Sequence, residues 1–401
     1  MSGTRSPGTA PAVFCLRDVA ELVRGVAYKP TDLRTVHDPD GVALLRATNI
    51  QDGRLETSDV QYVARERVAS RQELQQWDVL IAMSSGSKLA VGKLAQLASP
   101  WSGTFGAFCA VMRPNPELVD PAYFGFLLRT PAFRERIELM AQGTNIKNLS
   151  KEHLLGFPVA LPSLLEQRRI GRILSTIEQA REKTAQVVAA TARTRDAMLQ
   201  SLLADMTPSV KIGDIGVVKG GKRLPKGHVF APGETPYPYI RVIDFADGSV
   251  RTTNLRYLEP EDRARIARYV IAQEDVYISI AGTIGLVGVI PAELDGANLT
   301  ENAARIVIGD ATVNHRFLAW YLRSPMGQEQ IRVRTTKTSQ PKLALMRIAD
   351  ISLPVPPLAQ QSEIASALDL ITQKLHVEHG AKHAQDRVFQ AALTALLGAA
   401  A

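Results

Sequence analysis

The chain has 401 residues, 45% of them apolar and 22% charged, a globular composition with length for two domain cores. Its net charge is +7 and its pI is near 9.4, which favours a polyanionic partner without requiring one. No apolar run approaches the roughly 20 residues of a membrane span, and two cysteines, Cys15 and Cys109, cannot build a disulfide framework, so a reducing, cytoplasmic setting is expected.

Residues 1–12, MSGTRSPGTAPA, lack the apolar stretch of a secretory signal and read as a disordered tail. Residues 13–165 hold short β-branched runs such as DVLIAM from Asp78 and FCAVM from Phe108, bounded by turn residues, which predict strands. PAYFGFLLRTPAFRERIELM from Pro121 carries the three- and four-residue apolar spacing of helices. At LPSLLEQRRI, from Leu161, a proline closes the extended segment and a helix-favouring run opens. Over residues 166–206, Ile170, Leu174, Ile177, Val188, Thr191, Met198 and Leu202 fall on a heptad pattern and predict one long helix.

The same vocabulary then returns. Residues 207–359 contain DVYISI from Asp275, ARIVI from Ala304 and HRFLAWYLRSPMGQEQIRV from His315, again a mixed α and β domain. VPPLAQQSEI, from Val355, echoes LPSLLEQRRI 194 residues later and opens a second long helix over residues 360–401. Its stripe is Ile364, Leu368, Ile371, Leu375, Phe389, Ala392 and Leu396, interrupted by a polar middle with the weak helix former Gly380.

Further phrases keep this order. LLRATNIQDGRLET and YIRVIDFADGSVRT align Arg46 with Arg241 and Gly53 with Gly248, and Gly25 falls opposite Gly220, all at an offset of 195. DVLIAMSSG matches DVYISIAGT at 197, and LLRTPAFRERI matches YLRSPMGQEQI at 194. Such ordered repetition marks a duplication. A helix of 40 residues is roughly 60 Å long and cannot leave its apolar stripe in water, so each copy's helix is expected to pack on the other as an antiparallel coiled coil.

This pattern resembles the specificity subunits of type I restriction-modification systems. The resemblance rests on ALPSLLEQRRIGRIL and PVPPLAQQSEIASAL at the helix starts, on the strands WDVLIAMSSG and EDVYISIAGTIGLVGV, and on IRVIDFADG, and it covers nearly the whole chain beyond the tail. It implies an α+β fold with two repeated target recognition domains, joined and separated by two long antiparallel coiled-coil helices with pseudo-two-fold symmetry. It further implies a non-catalytic chain that reads a bipartite target on double-stranded DNA. Two modification (methyltransferase) subunits would dock on it through helix faces such as EQRRIGR and REKTAQ, and a restriction/translocase subunit would join where the system has one. The chain itself would bind no cofactor; S-adenosylmethionine would sit on the modification subunits. The sequence departs from the pattern at MSSGSKLAVGK, where Gly-x-Ile-Gly is favoured, and at TTKTSQPKL against QGTNIKNL.

Enzymatic motifs are absent from the sequence. GSKLAVGKL has five residues between its glycines and a leucine in place of Ser or Thr, unlike a phosphate loop, and GTIGLVG reads as a tight turn beside a strand. There is no G-x-S-x-G elbow and no Asn-Pro-Pro-Tyr-like tetrapeptide. His376, His379 and His383 share a helix face, for which a solvated surface is the simpler reading than a metal site.

Residues suited to base edges and phosphates are better represented. In the first domain they are Arg24, Tyr28, Lys29, Arg46, Asn49, Ser84, Ser85, Lys88, Thr144, Asn145, Lys147 and Asn148. In the second they are Lys219, Lys222, Arg223 and Lys226 in the basic, glycine-bearing stretch KGGKRLPKGH, then Arg241, Asp244, Thr283, Arg334, Lys337, Thr338 and Lys342. Arg46 and Arg241 equally fit a structural role as buried arginines paired to a carboxylate. The competing functional class is a non-catalytic adaptor whose paired domains bind other proteins, with these basic loops merely solvated.

Overall fold

The structure is a computed structural model that describes residues 12–51, 53–84, 91–142, 149–336 and 338–398. It divides into two compact units. Unit 1 comprises Met1–Ala185 with Gly380–Ala401, and unit 2 comprises Gln186–His379. Each unit thus holds one globular domain, the start of the long helix that follows it and the end of the other long helix.

In unit 1 a four-stranded antiparallel sheet runs in the order Ala20–Arg24, Cys109–Pro114, Val79–Ala82, Leu94–Gln96. Val79–Ala82 is buried throughout because the sheet is covered on both faces, which is why its sequence reads as a continuous apolar run and does not alternate with polar residues. Val79 and Ile81 face a core that includes Phe124, Leu174, Phe389 and Leu393, while Leu80 and Ala82 face a second core with Leu45 and Phe105. That second core is backed by another sheet, ordered Thr104–Phe105, Gly41–Leu45, Gln61–Ala64, Leu33–Arg34, whose first pair is parallel. A two-stranded clasp, Ala12–Cys15 against Pro158–Leu161, closes the domain where the long helix leaves it.

Unit 2 repeats this plan. Its antiparallel sheet runs Gly216–Gly220, Ala303–Ile308, Val276–Ser279, Val287–Val289, and Val210–Lys211 pairs with Ser352–Leu353 as the clasp. Its second sheet runs Arg256–Tyr257, Pro238–Ile240, Ala297–Leu299, Val270–Ile271. Three strands of the second sheet correspond between the units. The fourth lies beyond Gln61–Ala64 in unit 1 but beyond Ala297–Leu299 in unit 2, so the copies differ in which edge was extended.

The backbone moves one alignment by a residue. Gly25 donates to the Cys109 carbonyl at 3.2 Å and Gly221 to that of Ala303 at 3.0 Å. A Cβ on Gly25 would lie 2.2 Å from the Gly106 oxygen, and one on Gly221 2.0 Å from the Thr300 oxygen. Gly221, not Gly220, is therefore the counterpart of Gly25, because only a residue without a side chain fits where the two turns meet. Arg46 and Arg241 align as expected, each preceding a 3-10 turn whose third residue, Asn49 or Asp244, accepts from the arginine's own backbone amide at 2.8 Å. Gly53 and Gly248 hold φ of 77° and 83° in the hairpin turns that follow.

The first long helix is Leu164–Leu203 and the second is Leu358–Leu397, which continues without a break through Gly380. Within each unit the two helical segments run antiparallel: in unit 1 Arg181 meets Asp386, while Ile170 and Leu174 share a core with Leu393 and Leu397. The stripe is broader than the heptad expectation. Met198 and Leu202 are only half-buried, and Leu199 and Leu203 beside them are fully buried; Ala392 and Leu396 stand in the same relation to Leu393 and Leu397. These helix ends pack on a globular core as well as on a helix, which needs apolar residues on two adjoining rows.

The duplicated helix-start phrase holds a buried glutamine. Gln167 accepts from the Asp120 amide at 2.8 Å and donates to the Pro162 carbonyl at 2.9 Å; Gln361 accepts from the Asn314 amide at 2.9 Å and donates to the Pro356 and Thr312 carbonyls at 2.8 Å. Asp120 and Asn314 cap the domain helices Pro121–Leu127 and His315–Arg323. One side chain in each copy thus pins the domain helix to the turn from which the long helix starts.

Candidate nucleic-acid interface

Loops from separate parts of each domain converge at one end of its first sheet. In unit 2 the end is formed by Gly220, Ala303 and Ser279 on neighbouring strands. Lys222, Arg223 and Lys226 follow the first strand and are exposed, as is Lys219 within it. The turn Ala281–Gly285 follows the third strand and exposes Thr283. It bridges to Lys342, and Leu343 donates to the Ile280 carbonyl at 3.0 Å, which brings in the loop bearing Thr338 and Lys342, both exposed. Among the described residues no carboxylate forms an ion pair with Lys219, Lys222, Lys226 or Lys342. The expected tight turn is also present: Gly282 and Gly285 have φ of 73° and 88°, and the Ser279 hydroxyl donates to the Thr283 carbonyl and accepts from the Leu286 amide.

Arg223 differs from the lysines because its guanidinium donates to Glu301 at 2.6 Å. Burial pushes the Glu301 carboxyl up, but the Arg223 hydrogen bond and those of its own backbone and Thr300 outweigh this and hold it below the usual range. The pair is a charge-neutralised feature at the rim of an otherwise cationic loop.

Unit 1 builds the same end from Arg24, Cys109 and Ala82, with Leu149 donating to the Met83 carbonyl at 2.8 Å as Leu343 does to Ile280. Arg24 and Lys29 are exposed, and Ser84 is half-buried. Tyr28 donates to Gln61 at 2.8 Å across a pocket of about 580 Å³, lined also by Arg46, Ser84, Ala107 and Phe108. Ser85, Lys88, Thr144, Asn145, Lys147, Asn148 and Lys337 lie outside the described residues, as do most of the GSKLAVGKL and QGTNIKNL stretches.

Four sequence candidates bond within their own domain. Asn49 is buried, and its amide donates to the Glu56 and Asp59 carbonyls, both at 2.8 Å, while its oxygen caps Arg46. Asp244 is buried and takes both a backbone and a bidentate side-chain contact from Arg241, the carboxylate pairing that the structural alternative expects. Arg334 spends its guanidinium on the Gln330 and Asp350 carbonyls. Arg46 is intermediate: it reaches Asp59 at 3.5 Å, and its buried Nε has no partner among the described residues. Sequence reasoning passed over Phe108 and Asn302, which occupy one equivalent exposed turn. Equal backbone offsets could have pointed to them, but their residue types share nothing.

No helix among the described residues is long and apolar enough to cross a membrane, and no group of three His, Cys, Asp or Glu among them could hold a metal ion. Cys109 is buried and its thiol is pushed up to about 12 by loss of solvation, which keeps it protonated near neutral pH. What both units offer is a rigid sheet end carrying cations, hydroxyls and close-approaching backbone. That is the equipment of a binding module for a polyanion, present twice.

The class so defined matches known proteins over nearly its whole length. The family model described as Type I restriction modification DNA specificity domain matches residues 12–188 and again 205–385, and the chain belongs to that family. It is 26% identical over 373 residues to the type I restriction enzyme StySPI specificity subunit of Salmonella potsdam, covering 88% of this chain and 80% of that one. It is 25% identical over 382 residues to the EcoKI specificity subunit of Escherichia coli (strain K12), with the same coverage. In fold it is similar to the S subunit of the type I restriction-modification system of M. genitalium, with a TM-score of 0.63 at 16% identity over 96% of this chain and 95% of that one.

Proposed function

We infer that this chain is the DNA-reading subunit of a type I restriction-modification complex, supplying target recognition and no catalytic step. The observation that carries the reading is the duplicated sheet end, built on matching backbone hydrogen bonds, in a chain whose two halves each match the DNA specificity domain. Each unit reads one half of a bipartite word on double-stranded DNA, with cationic loops on phosphates and neighbouring side chains on base edges. The long helices set the gap between the half-words. Two modification subunits that bind S-adenosylmethionine act on the bound site, joined by a restriction/translocase subunit where the system has one.

The test is co-expression with a candidate modification subunit, followed by mapping of methylated adenines. A bipartite motif present only with both chains, and altered in one half when residues 13–165 are exchanged for another such domain, is the expected result. A complex that forms without any motif would overturn the reading in favour of a scaffold.

A further inference from the structure

Phe108 and Asn302 leave the same backbone frame. The Phe108 carbonyl accepts from the Met83 and Ser84 amides at 2.9 and 3.1 Å, and the Asn302 carbonyl from the Ile280 and Ala281 amides at 2.8 and 3.3 Å. The turn before each is closed by Cys109 onto Gly106 at 2.8 Å and by Ala303 onto Thr300 at 3.2 Å. Both side chains are exposed, Phe108 by 70%.

A single exposed aromatic residue is unremarkable on a protein surface. This one stands on a turn held by three backbone hydrogen bonds, at the edge of the pocket lined by Tyr28, Arg46 and Ser84, in the loop set that the reading above places on DNA. In the major groove, apolar side chains recognise the C5 methyl of thymine, whereas asparagine pairs with N6 and N7 of adenine. The two units therefore hold, at one equivalent position, the two side-chain chemistries that separate those bases.

We propose that this turn is a base-reading position in both units, with Phe108 contacting a thymine methyl in the half-word of unit 1 and Asn302 the N6/N7 edge of an adenine in that of unit 2. The assignment rests on the DNA-specificity reading. At this position it makes the second unit's discrimination directional and hydrogen-bonded, and the first unit's dependent on a single methyl group.

The experiment uses the full chain with its modification subunits and a duplex bearing the mapped word. Each thymine of the first half-word is replaced singly by deoxyuridine, and each adenine of the second by 7-deazaadenine. One uracil position is expected to weaken binding about fourfold, the worth of one buried methyl, and one deaza position about tenfold. Phe108→Ala should abolish the uracil effect and Phe108→Leu retain it, while Asn302→Ala abolishes only the deaza effect; unchanged melting checks that each variant folds. Flat uracil and deaza profiles in a complex that still distinguishes the mapped word from a scrambled one would overturn this assignment alone, as would variants that keep the parent profiles. A complex that makes no such distinction would overturn the DNA-specificity reading and the assignment with it.

Discussion

The two units fasten domain to helix at the same place with different chemistry. In unit 1 Arg129 gives two nitrogens to Glu178 of the first long helix at 2.8 and 2.7 Å, and it lies over the Phe126 and Phe389 rings, with Arg181 over Phe389 as well at 4.4 Å. In unit 2 the equivalent Arg323 lies over Trp320 at 4.1 Å and pairs at 2.7 Å with Asp247, which comes from the hairpin turn and not from the helix. Arg195, at the position of Phe389, donates to the same carboxylate at 2.8 Å. Duplication kept the arginine and the geometry but exchanged the anion and the aromatic ring. What has to be preserved is the fastening point, because it orients the sheet end on its helices; any pair that satisfies the buried charge will serve.

The sharpest test of that comparison is the part both units share. Gln167→Ala and Gln361→Ala each remove the partners of buried backbone groups, at a cost of about 2–4 kcal/mol. Hydrogen exchange resolved by unit should show the loss confined to unit 1 and unit 2 respectively, with similar size. A loss in only one unit would break the equivalence.

The part they do not share should give a smaller, asymmetric result. Asp247→Ala leaves Arg323 without a carboxylate and Arg195 with Asp196 alone, and is expected to destabilise unit 2 by about 2 kcal/mol, whereas Glu178→Ala should weaken only unit 1. Chemical denaturation followed by unit-specific exchange reads both.

A further difference is visible in pH. Hydrogen bonding from Arg181, with help from Lys382, holds the Asp386 carboxyl below its usual 3.8 despite some desolvation. A carboxyl depressed in the folded state contributes stability above its unfolded value, lost as pH falls through the folded value. Unit 1 should therefore loosen around the Arg181–Asp386 pair as pH falls below about 3.8, and Asp386→Asn should flatten that dependence in exchange measurements. The smallest effect concerns Tyr123, whose buried hydroxyl has no partner among the described residues. Unit 2 has Phe317 at the equivalent position, so Tyr123→Phe should be neutral or stabilising by up to about 1 kcal/mol in thermal melting.

Much of this architecture was legible in the sequence because apolar periodicity and turn residues state which faces are buried. The repeat, both long helices and the covered strands at Val79 and Val276 follow from such patterns. The Gln167 clamp could not be read that way: the Asp120 amide that donates to it lies 47 residues away and leaves no local signature. Arg241 and Asp244 illustrate the converse, since a polar pair three residues apart looks equally like a binding loop and a self-satisfied turn until burial is known. Phe108 carries no polar group that would single it out in the sequence.

The compact units do not coincide with the sequence repeats. Unit 2 is one unbroken stretch, but unit 1 draws Phe389, Leu393 and Leu397 into its core from beyond unit 2. During synthesis, then, the domain made first is completed last. Ile170 and Leu174 emerge early and wait for covering residues until the ribosome has passed the whole of the intervening unit, so premature termination after residue 379 would spare the later domain and leave the earlier one open.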